Sequence, residues 1–355
     1  MERLGYELDP QIMLVKEEQQ RYQRQMLLPE IGIAGQEQLK AAKVLVIGAG
    51  GLGCPVLQYL AAAGVGEIGI VDDDVVDLSN LHRQILFNAS DIGRPKAAVA
   101  VEKLKLLDPH LSLNSYVQRF DTNCAAAICG KYNLVVDCSD NFDTRYLVND
   151  TCVALGKTLV FGSILRFEGQ IAVFNHNGGV NYRDLYPEPP SEDISCADGG
   201  VIGTLPGLIG LYMANETIKL ICGIGETLAG KLMRVDLLNN TQYVFSIQAN
   251  VNATSPTPPK TEAAVKEIDR TTLATWLETK PEEIFLIDVR EAYEHEEHNI
   301  GGTHISLYDL SNAINRIPAG RQVVCYCQTG QKSKMAVKLL QPSYEGEVYS
   351  LKGGV

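Results

Sequence analysis

Short apolar runs, many of them β-branched, alternate along the chain with small-residue or amphipathic stretches. Lys43 to Ile47 (KVLVI) predicts a strand that ends in glycines, and Pro55 to Ala63 predicts a small-residue helix behind it. Glu67 to Val71 (EIGIV) predicts the next strand, which ends at a cluster of aspartates. Asn133 to Val136, running into Asp137, and Thr158 to Phe161 predict two further buried strands. Strand, glycine turn, helix and strand make a βαβ unit, and its repetition predicts an α/β fold with a doubly wound, mostly parallel sheet. Ile284 to Asp288 and Gln322 to Tyr326 repeat the pattern in a smaller C-terminal α/β unit.

Between the two units the patterning breaks. Ala249 to Ala264 (ANVNATSPTPPKTEAA) holds three prolines, three threonines and no apolar period, which is linker chemistry. Domains are therefore expected over 1–248 and 266–355, joined by a linker over 249–265. Fully extended, such a linker reaches at most about 55 Å. The longest apolar uncharged stretch, Gly199 to Asn215, contains five glycines and a proline and is short for a bilayer span. It predicts a buried helix and no membrane segment. The N-terminus is polar and acidic, without the basic and apolar regions of a secretory signal.

Composition narrows the classes. With 45% apolar and 21% charged residues, the chain can bury a core, which excludes disorder as its main state. A net charge of −12 argues against nucleic acid as a partner. Nine scattered cysteines fit reduced thiols in the cytoplasm better than a disulfide scaffold.

Candidate chemistry gathers at the strand ends. Gly48-Ala49-Gly50-Gly51-Leu52-Gly53 follows the first strand and opens a helix. Glycines there permit a tight turn and close approach of amides, and the helix N-terminus favours an anion. The same run could instead serve only to pack helix on strand. Asp72 lies 24 residues beyond Gly48 at the end of the second strand, where a carboxylate can accept from ribose hydroxyls. A nicotinamide oxidoreductase is the first reading of that pattern. The following motifs weigh against it: SNLHRQ (79–84) and GRPK (93–96), with RYQRQ (21–25) upstream, supply several cations. Such a set suits phosphates that are being displaced, although each charge alone could be a solvated surface group. Asp137-Cys138-Ser139-Asp140-Asn141 ends another strand, and Asp140 could hold magnesium.

Taken in order, RYQRQ, GAGGLG, VDDD, SNLHRQ, GRPK and DCSDN resemble the ubiquitin-activating-type adenylyltransferases of the MoeB/ThiF family, over residues 18–248. The resemblance implies a Rossmann-like domain that uses ATP to adenylate the C-terminal glycine of a ubiquitin-like sulfur carrier ending in Gly-Gly. Carried over by motif, Gly48, Gly50, Gly51 and Gly53 would form the nucleotide turn and Asp72 would hold ribose. Asn80, Arg83 and Lys96 would face the phosphates, with Arg83 and Lys96 counted as catalytic. Asp140 would bind Mg2+, and Arg24 would reach the phosphates of the partner subunit in a homodimer. Cys196 sits in a predicted loop, Tyr186 to Gly203, in a setting where family members carry thioester or acyl-disulfide chemistry; the alternative is an incidental loop thiol. Cys54, Cys124, Cys129, Cys138, Cys152 and Cys222 read as core filling. The family often holds a structural zinc on two Cys-x-x-Cys pairs. The matching places read Asn181 to Asp184 and Asn250 to Ala253, so no zinc is expected.

In the C-terminal unit, the strand ending at Tyr326 runs into Cys327-Gln328-Thr329-Gly330-Gln331-Lys332, with a helix expected to start near Ser333. A cysteine between a strand end and a helix N-terminus meets backbone amides and the positive end of the dipole. Lys332 is expected to add charge, and these conditions favour a thiolate or persulfide. Cys325 reads as a buried strand thiol; a Cys-x-Cys metal or disulfide pair is the weaker alternative, because no second pair lies nearby. With LIDVRE (286–291) upstream, residues 266–355 resemble a rhodanese domain of the sulfurtransferase kind. Lys332 stands where an arginine is usual, which loses the planar fork. The ending Gly353-Gly354-Val355 falls short of the usual aromatic close, so a truncated C-terminus is expected.

Together the resemblances imply an adenylyltransferase with sulfurtransferase activity. A Cys327 persulfide, charged by a donor such as a cysteine desulfurase, would attack the adenylated carrier. A carrier of the molybdopterin-synthase type is favoured. The rival readings are a non-catalytic docking protein and an NAD-dependent oxidoreductase.

Overall fold

The computed structural model describes residues 13–188, 200–249 and 265–355, apart from 291, 308, 311, 312, 342, 343 and 345. Cys196 and nearly all of the expected linker lie outside the described residues. The chain divides into two units, residues 1–256 and 257–355.

In the first unit, β1 (Lys43–Ile47), β2 (Glu67–Val71), β3 (Ser112–Tyr116), β4 (Leu134–Asp137) and β5 (Thr158–Leu165) pair in parallel. Continuing from β5, β6 (Glu168–Phe174), β7 (Lys231–Asp236) and β8 (Thr241–Ser246) are antiparallel. The spatial order is β3-β2-β1-β4-β5-β6-β7-β8. The parallel sheet is thus extended by three antiparallel strands that the apolar pattern does not announce. Arg166, at φ 55°, turns β5 into β6, and β5 runs four residues past the predicted Phe161. The chain passes from β2 and β3 on one side of β1 to β4 on the other. That switch point lies at the C-terminal ends of β1 and β4, the usual ligand edge of such sheets.

Alternation along β1 feeds both faces of the sheet. Val44 and Val46 join one core, whereas Leu45 and Ile47 join the other. Each such side chain, once buried, stabilises the fold by about 1.5–3 kcal/mol. The glycine-rich apolar stretch contributes helix Thr204–Cys222, which packs on helix Gly53–Ala63 and on β5 and β6 through Leu205, Ile209 and Met213. Among the described residues, no helix is long and apolar enough to cross a membrane.

Cys54, Cys129, Cys138, Cys152 and Cys222 are buried. Cys124 differs from expectation: it is only half-buried, at the end of a loop, with its Sγ 3.5 Å from the Arg119 carbonyl oxygen. Asn181 caps helix Tyr182–Leu185 by accepting from the Arg183 amide at 2.9 Å. Arg183 grips Asp150 through two 2.7 Å bonds, and Tyr182 packs its ring among Tyr146, Phe161, Phe174 and Tyr186. Residues 250–253, the other place where thiolates were sought, lie outside the described residues.

The second unit holds a five-stranded parallel sheet ordered β11-β10-β12-β13-β9. Its strands are β9 (Glu267–Ile268), β10 (Ile284–Asp288), β11 (Thr303–His304), β12 (Gln322–Tyr326) and β13 (Val348–Leu351). Helix Gln331–Leu340 packs on β12 and β13 and begins two residues earlier than predicted.

Candidate functional site

At the C-terminal end of β1, Gly48 adopts φ +92°, and a Cβ there would lie 2.8 Å from the Cys138 carbonyl oxygen. A Cβ on Gly53 would collide with the Gly48 carbonyl oxygen, so the turn can close only over glycine. Asp72, at the tip of β2, accepts the Ala49 amide at 2.7 Å and the Asp74 amide at 2.9 Å. Burial pushes its carboxyl above the usual carboxylate range; Lys96 and these two amides work in the opposite sense.

The strand β2 exit is laced to the segment before helix Lys96–Leu107. Val75 bridges Pro95, and the Lys96 amide donates to the Asp74 carbonyl at 2.9 Å. This brings the buried Lys96 side chain onto Asp74, whose Oδ2 lies 2.9 Å from Nζ. Arg94, from the same motif, turns away to pair with Glu102 at 2.6 Å. Asp77 caps the short turn Leu78–Asn80 by accepting from the Ser79 amide. The next residues fold back so that the Arg83 amide donates to the Asn80 carbonyl at 3.0 Å. The Arg83 side chain lies alongside Gly51, and its Nη1 donates to the Ser79 carbonyl at 3.1 Å. Gln84 beside it is buried against Gly50.

Beyond β4, Asp137 is fully buried and accepts the Ser139 amide at 2.9 Å. Desolvation pushes its carboxyl up. Asp140 is exposed on the same edge, immediately before Asn141, which caps helix Phe142–Leu155 by accepting the Thr144 amide at 2.9 Å. One exposed carboxylate on the edge that carries the glycine turn fits magnesium, which takes few protein oxygens and completes its shell with phosphate and water. Arg145 reaches back to the Ser139 carbonyl at 3.3 Å and lies over the rings of Phe142 and Phe161.

Glycine turn, Asp72, Asn80, Arg83, Lys96 and Asp140 thus gather on one sheet edge. Arg24 stands on a separate short helix, Gln23–Met26, with its side chain exposed; neighbouring Tyr22 is anchored to Asp108 at 2.8 Å. Asp74, Gln84, Asp137 and Arg145 were not picked out by sequence reasoning. Asp74 was visible only as one letter of an aspartate run.

In the second unit, Cys327 is 1% exposed at the end of β12. The Gly330 and Ser333 amides donate to its Sγ at 3.2 and 3.4 Å, and the Ser333 hydroxyl lies 3.7 Å away. Lys332, the loop's last residue, pairs its ammonium with Glu294 at 3.5 Å. The Ser333 hydroxyl also meets that of Ser350 at 2.8 Å. The loop is braced from below. Arg290 binds Asp288 at 2.7 Å and donates to the Gln328 side chain at 3.2 Å, while His295 approaches Asp288 at 2.8 Å. Burial acts to raise the Asp288 carboxyl, but hydrogen bonds from Arg290 and His295 outweigh it and hold the group at about 2. The Val355 amide donates to the Cys327 carbonyl at 3.0 Å, and Arg270 donates to the Gly354 carbonyl at 2.8 Å.

Residues 22–257 match the ThiF family, and residues 269–355 match the rhodanese-like domain. The chain is 40% identical to the probable adenylyltransferase/sulfurtransferase MoeZ of Mycobacterium tuberculosis, over 98% of this chain and 94% of that protein. It is 51% identical to the sulfur carrier protein adenylyltransferase of Thermus thermophilus, over 66% of this chain and 89% of that protein. The adenylyltransferase and sulfurtransferase MOCS3 of Mus musculus is 47% identical over 64% of this chain and 50% of its own length. Among solved structures, E. coli MccB with ATP superposes at a TM-score of 0.59 with 20% identity, over 66% of this chain and 74% of that one, a likeness of fold.

Proposed function

This chain belongs to the ThiF family, carries a C-terminal rhodanese-like domain and is an adenylyltransferase/sulfurtransferase, and on that footing we propose the reaction it performs. It adenylates the C-terminal glycine of a ubiquitin-like sulfur carrier with ATP, then converts the acyl-adenylate into a thiocarboxylate. The observation that carries the reading is the gathering of the Gly48–Gly53 turn, Asp72, Arg83, Lys96 and Asp140 on one sheet edge.

A carrier carboxylate oxygen attacks the α-phosphorus, the bond to the bridging oxygen breaks, and pyrophosphate leaves. Arg83 and Lys96 meet the charge that develops on it, Asn80 helps to hold the phosphates, and Asp72 holds the ribose. Magnesium, when bound, neutralises phosphate charge, and Asp140 is the residue assigned to it. The terminal sulfur of a Cys327 persulfide, charged by a desulfurase-type donor, then attacks the acyl carbon and expels AMP. Cys196 is assigned the last step. Its thiolate attacks Cys327 Sγ, the S–S bond breaks, the thiocarboxylate leaves, and a Cys196–Cys327 disulfide remains for an external thiol reductant. We assign domains to 1–248 and 266–355, a linker to 249–265, and Arg24 to the neighbouring active site of a homodimer. No zinc is assigned, the protein is assigned to the cytoplasm, and a molybdopterin-synthase-type carrier is favoured.

ATP–pyrophosphate exchange that depends on a Gly-Gly-ending carrier tests the first half. Mass spectrometry for one added sulfur atom on Cys327 after thiosulfate or persulfide treatment tests the second. Absence of exchange with every such carrier would overturn the reading.

A further inference from the structure

Ser350 on β13 and Ser333 on helix Gln331–Leu340 are both 0% exposed, and their hydroxyls meet at 2.8 Å. Among the described residues, that is the only hydrogen bond of the Ser350 side chain. A hydroxyl carries one hydrogen, and burying it without an acceptor is costly, so Ser350 donates to Ser333. This direction limits what Ser333 can do. With one lone pair taken by Ser350, the Ser333 hydrogen turns towards the Cys327 loop. There it meets the Gly330 carbonyl at 3.1 Å and the Cys327 sulfur at 3.7 Å. Strand pairing sets the geometry: β13 places Ser350 opposite Cys325, two residues before Cys327.

Two states of the sulfur use that hydrogen differently. A Cys327 thiol donates to Ser333 Oγ, and the Ser333 hydrogen then stays on the Gly330 carbonyl. Once the thiol proton has gone to solvent, the sulfur accepts only. The Ser333 hydroxyl can then join the Gly330 and Ser333 amides, which donate to Sγ at 3.2 and 3.4 Å. We infer that Ser350 is a positioning residue for sulfur transfer: by donating to Ser333, it keeps the Ser333 hydrogen available to the anionic Cys327 sulfur. In transfer from thiosulfate, Cys327 Sγ attacks the outer sulfur, the S–S bond breaks, and sulfite leaves with the electron pair. Cyanide then attacks the terminal sulfur of the persulfide, and the Cys327 thiolate leaves. The two hydroxyls therefore serve the nucleophile of the first step and the leaving group of the second.

The inference rests on the Cys327 persulfide reading above, and its test separates the two. Sulfur transfer from thiosulfate to cyanide is measured on the full chain, with the urea unfolding midpoint of each variant alongside. Ser350→Ala is expected to lower kcat about fivefold while the KM for thiosulfate stays unchanged. Ser333→Ala is expected to cost at least as much, and adding Ser350→Ala to it is expected to cost nothing further. Ser350→Thr keeps the hydroxyl and is expected to keep the wild-type kcat. An unchanged kcat in Ser350→Ala, or a loss carried wholly by KM, would overturn the inference alone. So would serine effects that multiply independently, or Ser350→Thr as slow as Ser350→Ala at an unchanged unfolding midpoint. No transfer by the wild type, with no sulfur added to Cys327, would overturn the persulfide reading and the inference together.

Discussion

Lys96 Nζ lies 2.9 Å from Asp74 Oδ2, with the lysine side chain 6% exposed and the carboxylate 63% exposed. The ammonium is buried, but the anion that holds it stands in water, where a more highly charged anion can replace it. Asp74→Asn removes that competitor and is expected to tighten ATP binding about threefold, read by titration calorimetry. Lys96→Met should lower pyrophosphate exchange about 100-fold or more. An unchanged rate in Lys96→Met would remove the lysine from the chemistry.

Gly53→Ala places a methyl group against the Gly48 carbonyl, so either the turn opens or the helix withdraws. The expected result is an ATP affinity lowered about tenfold or more, with the far-ultraviolet dichroism of the sheet and helices retained. Normal affinity would show that the turn has slack that its contacts do not reveal.

Asp288 is held at about 2, against about 3.9 for an ordinary aspartate in an unfolded chain. A lowered carboxyl stabilises the folded state above its unfolded value, and the contribution disappears as pH falls through the folded one. The protection factors of β10 and β12 amides, exchange corrected for its intrinsic pH dependence, should therefore fall between about pH 4 and pH 2. Asp288→Asn should flatten that acid dependence and start about 3 kcal/mol lower, because the buried Arg290 guanidinium loses its partner.

Tyr182 is 2% exposed amid four other aromatic rings. Tyr182→Ala is expected to cost about 3–5 kcal/mol in urea unfolding. Arg183→Ala loses a half-buried ion pair and should cost only about 1 kcal/mol. Equal losses would mean that the Asp150 grip, rather than ring packing, fastens this segment.

Strands buried on both faces were the most legible. β1, β2, β10 and β12 coincide with their apolar runs because parallel strands covered on both sides read as continuous hydrophobic stretches. β3 (SLNSY) and β8 (TQYVFS) escaped notice, being polar or exposed edge strands whose pairing, not composition, makes them strands. The glycine turn and the Cys327 loop are local chemistry and could be read from adjacent letters. Lys96 on Asp74 depends on the Val75–Pro95 bridge, and Arg290 beneath Gln328 joins residues 38 positions apart, so neither is visible without the fold. The pairing of Lys332 with Glu294 is likewise a contact that only the fold shows.

The buried thiols bear on where sulfur could go in the proposed transfer. Desolvation pushes Cys54 and Cys129 up to about 12 and Cys222 to about 11, and raises Cys138, Cys152 and Cys325 as well. Transpersulfidation needs a thiolate, and at neutral pH these six supply almost none. Cys325 stands two residues from Cys327 and is the nearest decoy in sequence, yet it is sealed inside β12. A sulfane atom placed on Cys327, as proposed, would find almost no thiolate among these six, and an alkylating label would be blind to the same positions.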